Sequence, residues 1–321
     1  MKNNISNKKY NKYNKNSKND KYKTILICFI FIILFIIICY YIKKNKEYKE
    51  TNTISTFMNA DSTLVIPKYT IGFFACCADI LKHIIDYFNI NKKLPLNIDT
   101  SQQFSIYKPS YIQGDIMPYF FEKKDNIDIT YINTIKLVNN FHSLQYERYK
   151  DMDYTQFTPF IEKYFSPSQE IIDIENQIIN KYNINVNEYC AIYFRGTDKK
   201  EETEIGSFDT YIEKMNELLN IDKNIKFIIQ SDNTYFIDEI KSKFSNSISF
   251  DENVSSTSDK GIHNENSPDD NYIIMKNFLA IVYIISKCKY IICSSGNCSF
   301  WMMLFRGNGL NVNQYFNNQW Y

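Results

Sequence analysis

Net charge is almost absent from this chain: 37 Lys and Arg against 36 Asp and Glu leave a formal +1. That argues against nucleic acid as the main partner, because such binding runs on an excess of cations. No periodic repeat is present, which excludes a solenoid or propeller. Histidine is scarce, at three residues, and His263, though set among carboxylates, has no ligand spacing around it, a thin basis for a metal site. No small-residue cleavage site accompanies the one long apolar run, so a cleaved signal peptide is excluded. The eight cysteines leave the redox compartment open. Cys28 and Cys39 fall in the apolar run, and Cys76, Cys77, Cys190, Cys288, Cys293 and Cys298 in expected strands or turns, where a buried thiol and a disulfide read alike.

What is present is ample material for a core, 44% hydrophobic residues in 321. Residues 1–23 are an Asn/Lys/Tyr/Ser tract with little to bury, expected to be a disordered tail. Residues 24–42, TILICFIFIILFIIICYYI, are 19 uncharged positions, enough at helical rise to cross a bilayer. Eight Lys precede this run, whereas four Lys and two Glu follow within eight residues. The bias favours a cytoplasmic N-terminus, hence a type II signal anchor with a polar stem over 43–67 and the rest lumenal, in a Golgi/ER-type or a viral or host endomembrane. A mitochondrial or other anchor facing the cytosol is the alternative.

Beyond the stem, residues 69–76 read as a buried strand and 77–89 as a helix, with a second strand over 94–98. Gly72, Cys76 and Cys77 at that strand end either line a cleft or pack. A strand within 127–137, a helix over 138–146, and a helix N-capped by Ser166 with Pro167 in its first turn follow. The expected organisation is an N-terminal Rossmann-like half over 68–180 and a second over 181–321. In the second, strands at 188–192, 225–229 and 290–293 alternate with helices over 208–219, 234–244, 271–286 and 300–305. Residues 245–270 form a polar, acidic loop near the cleft. It carries the sequon Asn253-Val254-Ser255, open to glycosylation if lumenal, whereas a second, Asn297-Cys298-Ser299, is expected to be buried.

Three strand ends carry the chemistry. Tyr193-Phe194-Arg195-Gly196-Thr197-Asp198-Lys199 closes one: Arg195 offers a planar fork for phosphate oxygens, Lys199 a second cation, Thr197 a hydroxyl and Asp198 a carboxylate. A surface Arg-Asp pair closing a strand is the bland alternative. Ser231-Asp232 closes the second, where Asp232 either faces a ligand or caps the helix that follows. Ser294-Ser295-Gly296-Asn297-Cys298-Ser299 closes the third, a small-residue turn before a helix N-terminus that suits phosphate or tight packing.

YFRGTDK resembles the H-x-R-R-T-D-K segment of the fucosyltransferase superfamily that includes α1,6-, α1,2- and protein O-fucosyltransferases using GDP-fucose. The invariant Arg of that segment falls on Arg195, with Tyr193 in place of its His and Gly196 in place of a second Arg. The strand with Ser231-Asp232, and SKCKYIICSSGNCSFW, are similar to that family's second and third segments, so the resemblance spans about 186–310. It implies an α/β fold of GT-B type with two Rossmann-like halves, the first for the acceptor. The implied activity is an inverting, metal-independent transfer of fucose from GDP-fucose to a glycan or glycoprotein hydroxyl, with no cofactor. The donor would touch Tyr193, Arg195, Thr197, Lys199, Ser231, Asp232 and residues 294–299. Arg195 would stabilise the leaving diphosphate, and Asp198 or Glu204 would serve as base. A different nucleotide sugar, or a membrane protein that binds one without catalysis, are the other classes to separate.

Overall fold

The computed structural model describes Ile33, Phe35 and residues 63–321 apart from 126, 133, 136–140 and 202, with 200 and 201 described for backbone alone. Two compact units divide the chain, Met1–Met58 and Asn59–Tyr321. In the first, Ile33 and Phe35 are helical and exposed. The rest of the expected membrane segment 24–42, the tail 1–23 and most of the stem lie outside the described residues. No helix among the described residues is long and apolar enough to cross a membrane.

The second unit begins with β1 (Thr63–Val65), inside the segment read as stem, and passes through α1 (Phe73–Asn91) to β2 (Asn97–Asp99), which pairs parallel to β1 with Leu64 opposite Ile98. This corrects two expectations. Residues 69–76 are no strand, because helix α1 starts at Phe73 with Gly72 as N-cap and buries Phe73, Phe74, Cys77, Ile80, Leu81, Ile84, Ile85 and Phe88 on one stripe. The strand expected at 94–98 shifts to Asn97–Asp99. Within 127–137 the described residues contain no strand, and Phe141–Tyr146 is a 3-10 turn. Helix α2 (Gln169–Tyr182) is capped by Ser168, whose Oγ accepts from Ile171 N, while Ser166–Pro167 instead pairs antiparallel with Phe121–Glu122.

The remaining strands, β3 (Tyr189–Phe194), β4 (Lys226–Ser231), β5 (Ser247–Ile248), β6 (Tyr290–Ser294), β7 (Val312–Phe316) and β8 (Gln319–Trp320), build one sheet in the order β8-β7-β6-β3-β4-β5. All neighbours are parallel except β8 against β7. Every residue of β3 is buried, as a central parallel strand covered on both faces requires. One face packs Ile192, Phe194, Phe227 and Ile229 under α3 (Phe208–Ile221) and α4 (Thr234–Lys243), with Phe194 stacked on Phe236 at 4.2 Å. The other face carries α5 (Pro268–Ser286) and α6 (Asn297–Arg306).

From β3 the chain adds β4 and β5 on one side, then returns to lay β6 against β3 on the other. The crevice at the C-terminal ends of β3 and β6 is therefore the switch point of an open α/β sheet, where ligands bind. In place of a full second sheet, the first half supplies the β1-β2 pair and aromatic packing onto the second. Phe74 of α1 meets Phe278 of α5 at 6.1 Å and Trp301 of α6 at 6.3 Å, and Trp301 meets Phe165 at 4.8 Å.

Candidate active site

Four helix starts are closed by side chains. Ser168, Ser207, Asn233 and Ser267 each accept from a backbone N–H in the first turn of α2, α3, α4 and α5. Helices α1 and α6 have Gly72 and Gly296 as N-caps and no side-chain cap, and both open onto one cavity of about 540 Å³ at the switch point. Their partial positive ends are thus left for something else to neutralise.

Arg195 follows β3 directly into this cavity. Its Nη2 donates to Asp198 Oδ1 and its Nε to Asp232 Oδ2 at 3.3 Å. Asp232 Oδ1 accepts from Gly196 N at 2.8 Å, and its Oδ2 also accepts from Thr197 Oγ1 at 2.8 Å. The guanidinium is anchored through two of its five N–H groups, so Nη1 is left to bind a ligand. Burial opposes its charge, but the carboxylates of Asp232 and Asp198 outweigh that and hold it more firmly protonated than usual. Burial raises the Asp198 carboxyl, yet the Arg195 charge and hydrogen bond prevail and hold it below the ordinary aspartate range.

Lys199 is buried, its Nζ donating to Gln145 Oε1 at 3.3 Å and Tyr146 Oη at 3.4 Å. A Cβ added to Gly296 would lie 3.3 Å from Lys199 Cε and 3.7 Å from Nζ, so the ammonium sits against the open end of α6. A cation beside a helix N-terminus is an anion site. The turn before α6 is pinned from outside. Tyr149 Oη accepts from Gly296 N at 3.2 Å and donates to Gln145 O at 3.0 Å, Ser299 Oγ donates to Ser294 O at 2.6 Å, and Gln314 Nε2 donates to Ser295 Oγ at 2.7 Å.

Of the residues expected to bind or react, Tyr193, Arg195, Asp198, Lys199, Asp232, Ser294, Ser295, Gly296, Asn297 and Cys298 line the cavity. Thr197, Ser231 and Ser299 do not: their hydroxyls hold Asp232, Asn233 N and the α6 turn, so they shape the site from behind. Glu204 is exposed and lines no part of the cavity. Asp232 is freed for Arg195 because Asn233, one residue on, caps α4 through Phe236 N at 3.0 Å. Gly196 is no vacancy for a second arginine, since a Cβ there would lie 2.4 Å from Phe194 Cε1 and 3.0 Å from Asn233 Cβ.

The opposite wall is legible in the sequence only in part, at Gly72 and the 245–270 loop. It comes from the start of α1 (Gly72, Phe73, Phe74), from Tyr107, and from His142, while the loop after β5 adds Glu252, Asn253 and His263. Gly72 lines the cleft whereas Cys76 and Cys77 are packed in the core, and the 245–270 loop lies at the cleft as expected, though it contains β5 and a helical turn at Ile262–Glu265. Asn253 of the sequon is committed inward, with Nδ2 donating to Ser231 O at 2.9 Å and Oδ1 accepting from Gln230 Nε2 at 2.5 Å. The six cysteines of this unit are all buried and free. Among the described residues no three His, Cys, Asp or Glu side chains gather to hold a metal ion.

No family model matches the chain, and no curated protein matches it. Solved structures do. One is a mutant of Arabidopsis thaliana FUT1 in complex with GDP, at 16% identity and a TM-score of 0.33 over 52% of this chain. Another is NodZ alpha-1,6-fucosyltransferase co-crystallized with GDP, at 11% identity and a TM-score of 0.43 over 81% of this chain. The chain spans 37% of the FUT1 structure's length and 96% of the NodZ structure's. With scores this low, the function has to be argued from the site's own residues.

Proposed function

We propose that this chain is a glycosyltransferase of GT-B type with a reduced first half, transferring fucose from GDP-fucose to a hydroxyl of a glycan or protein. The observation that carries the reading is the convergence of Arg195, Lys199 and the uncapped N-terminus of α6 on one cavity at the sheet's switch point. Three positive centres around one crevice suit a nucleoside diphosphate, whose β-phosphate oxygen gains charge as the sugar leaves.

In this reading Nη1 of Arg195 and the backbone N–H groups at the start of α6 bind the diphosphate, and Lys199 stabilises the developing charge without a metal. Preorganisation comes from Asp232, Asp198 and Tyr149, which fix the donors before the ligand arrives. Tyr193 lines the same cavity and offers a hydroxyl to the nucleoside. Residues 24–42 anchor the protein as a type II membrane protein, with 59–321 in a lumenal compartment where donor and glycan acceptors meet. The test is thermal-shift ranking of nucleotides: GDP is expected to raise the midpoint more than UDP, and equal or absent shifts would remove the guanine-nucleotide reading.

A further inference from the structure

Transfer with inversion needs a group to take the acceptor's proton, and the cavity's titratable side chains can be sorted by what already holds them. Burial pushes the Tyr69, Tyr107 and Tyr193 hydroxyls upward, so they stay protonated near neutrality. Arg195 is held as a cation, and Lys199 donates to Gln145 and Tyr146. Asp232 accepts from three groups, and Glu252 accepts from Lys181 Nζ at 2.9 Å and Tyr182 Oη at 3.2 Å. Asp198, the base expected from sequence, spends Oδ1 on Arg195 and is held weakly basic by it.

The cavity also holds two histidines. The His142 ring lies tilted against that of Tyr69 at 5.7 Å, on the segment that also carries Gln145, a partner of Lys199. His263 lines the same cavity as Asp198, within reach of its charge. A Cβ added to Gly261 would be 2.8 Å from Asp198 Oδ2 and 3.1 Å from His263 Cε1, so both side chains pack against this glycine and leave no room for a larger residue. The ring faces Tyr107 at 6.4 Å, its backbone carbonyl accepts from Asn271 Nδ2 at 2.9 Å, and Arg195 is the other charge nearby. Glu265 on its own turn is bonded to Ser258. Burial outweighs Asp198 and keeps the imidazole below its ordinary titration range, hence neutral at pH 7.

We propose that His263 is the catalytic base, accepting the proton of the attacking hydroxyl, with Asp198 as the positioning residue that stabilises the imidazolium. The inference rests on the glycosyl-transfer reading. In the step, the acceptor oxygen bonds to the anomeric carbon as that carbon's bond to the β-phosphate oxygen breaks. The bonding pair leaves with the nucleoside diphosphate, and the hydroxyl proton passes to a His263 ring nitrogen and then to water. Asp198 acts on the ring through its charge, which favours the imidazolium.

The experiment uses the full chain with GDP-fucose as donor and water as acceptor, following GDP release against pH, and titrates GDP separately. His263→Asn is expected to lower kcat about 10²–10⁴-fold and erase the acid limb of the profile below pH ~6.5, while GDP affinity stays within about twofold. In the same preparation the NMR titration of His263 Cε1–H should move to lower pH in Asp198→Asn, because the carboxylate that favours the imidazolium is gone. Retained turnover, a surviving acid limb, GDP affinity lost in step with rate, or an unmoved titration would each overturn the assignment. If wild type binds GDP and turns over but His263→Asn does too, only the base is wrong; if wild type binds no GDP, the transferase reading and the base fall together.

Discussion

Replacing Gly196 with alanine is expected to destabilise the folded unit by about 1–3 kcal/mol. The added Cβ would sit 2.4 Å from Phe194 Cε1, well inside contact distance, and Phe194 cannot yield because it stacks on Phe236 at 4.2 Å and crosses Tyr211 edge-on at 5.2 Å. Relief by moving Gly196 instead would pull its N–H from Asp232 Oδ1, now 2.8 Å away, and loosen the carboxylate that holds Arg195. For a unit of this size that energy corresponds to a drop of about 2–12 °C in the thermal midpoint. Urea unfolding gives the cleaner reading, with a lowered midpoint and an unchanged m-value. In open space the same substitution would stabilise by about 0.4–1 kcal/mol through the unfolded chain, so the sign alone decides. Gly196→Arg sharpens the test. A variant that folds well and binds GDP more tightly would show that the site lacks an arginine it has room for, and would refute the packing argument.

Tyr149→Phe should cost about 1–3 kcal/mol by leaving Gly296 N and Gln145 O without their buried partner, and should weaken GDP binding by loosening the α6 turn; denaturation and titration of the same variant check both. Burial lowers both His142 and His263, so the unfolded chain takes up protons first and stability should fall as pH drops from about 7 toward 5. A His142→Asn/His263→Asn double variant should flatten that slope, and an unchanged slope would place the protons elsewhere. The six buried cysteines should resist a thiol reagent in the native unit and react on denaturation, Cys298 included, since burial pushes its thiol up to about 12.

Much of the second half could be read from sequence, because a parallel strand covered on both faces writes a continuous apolar run. Residues 188–192, 225–229 and 290–293 each match a strand to within two residues. The same feature misled at 69–76, where a short apolar run has no period of its own and the helix continuing past Cys76 claimed it. In the site, Glu204 apart, charge was legible, and hydroxyls were so only at Ser294 and Ser295. Arg195, Lys199 and Asp232 reach the cavity, whereas Thr197, Ser231 and Ser299 bond to a side chain or backbone behind it, and a serine at a strand end looks the same in either role. Tyr107 and His142 arrive from the first half through the packing of α1 and its following turns on α5 and α6. That juxtaposition exists only in three dimensions.

The most direct test of the nucleotide-sugar reading is calorimetric titration of GDP into the wild type, Arg195→Ala and Arg195→Lys. The account predicts micromolar binding by the wild type and a loss of about 2–5 kcal/mol, at least thirtyfold, in the alanine variant. Lysine, which keeps the charge without the fork, should fall between and should show through its retained fold that the loss is local. Binding that survives unchanged in both variants would put the diphosphate somewhere other than the end of β3 and contradict the account.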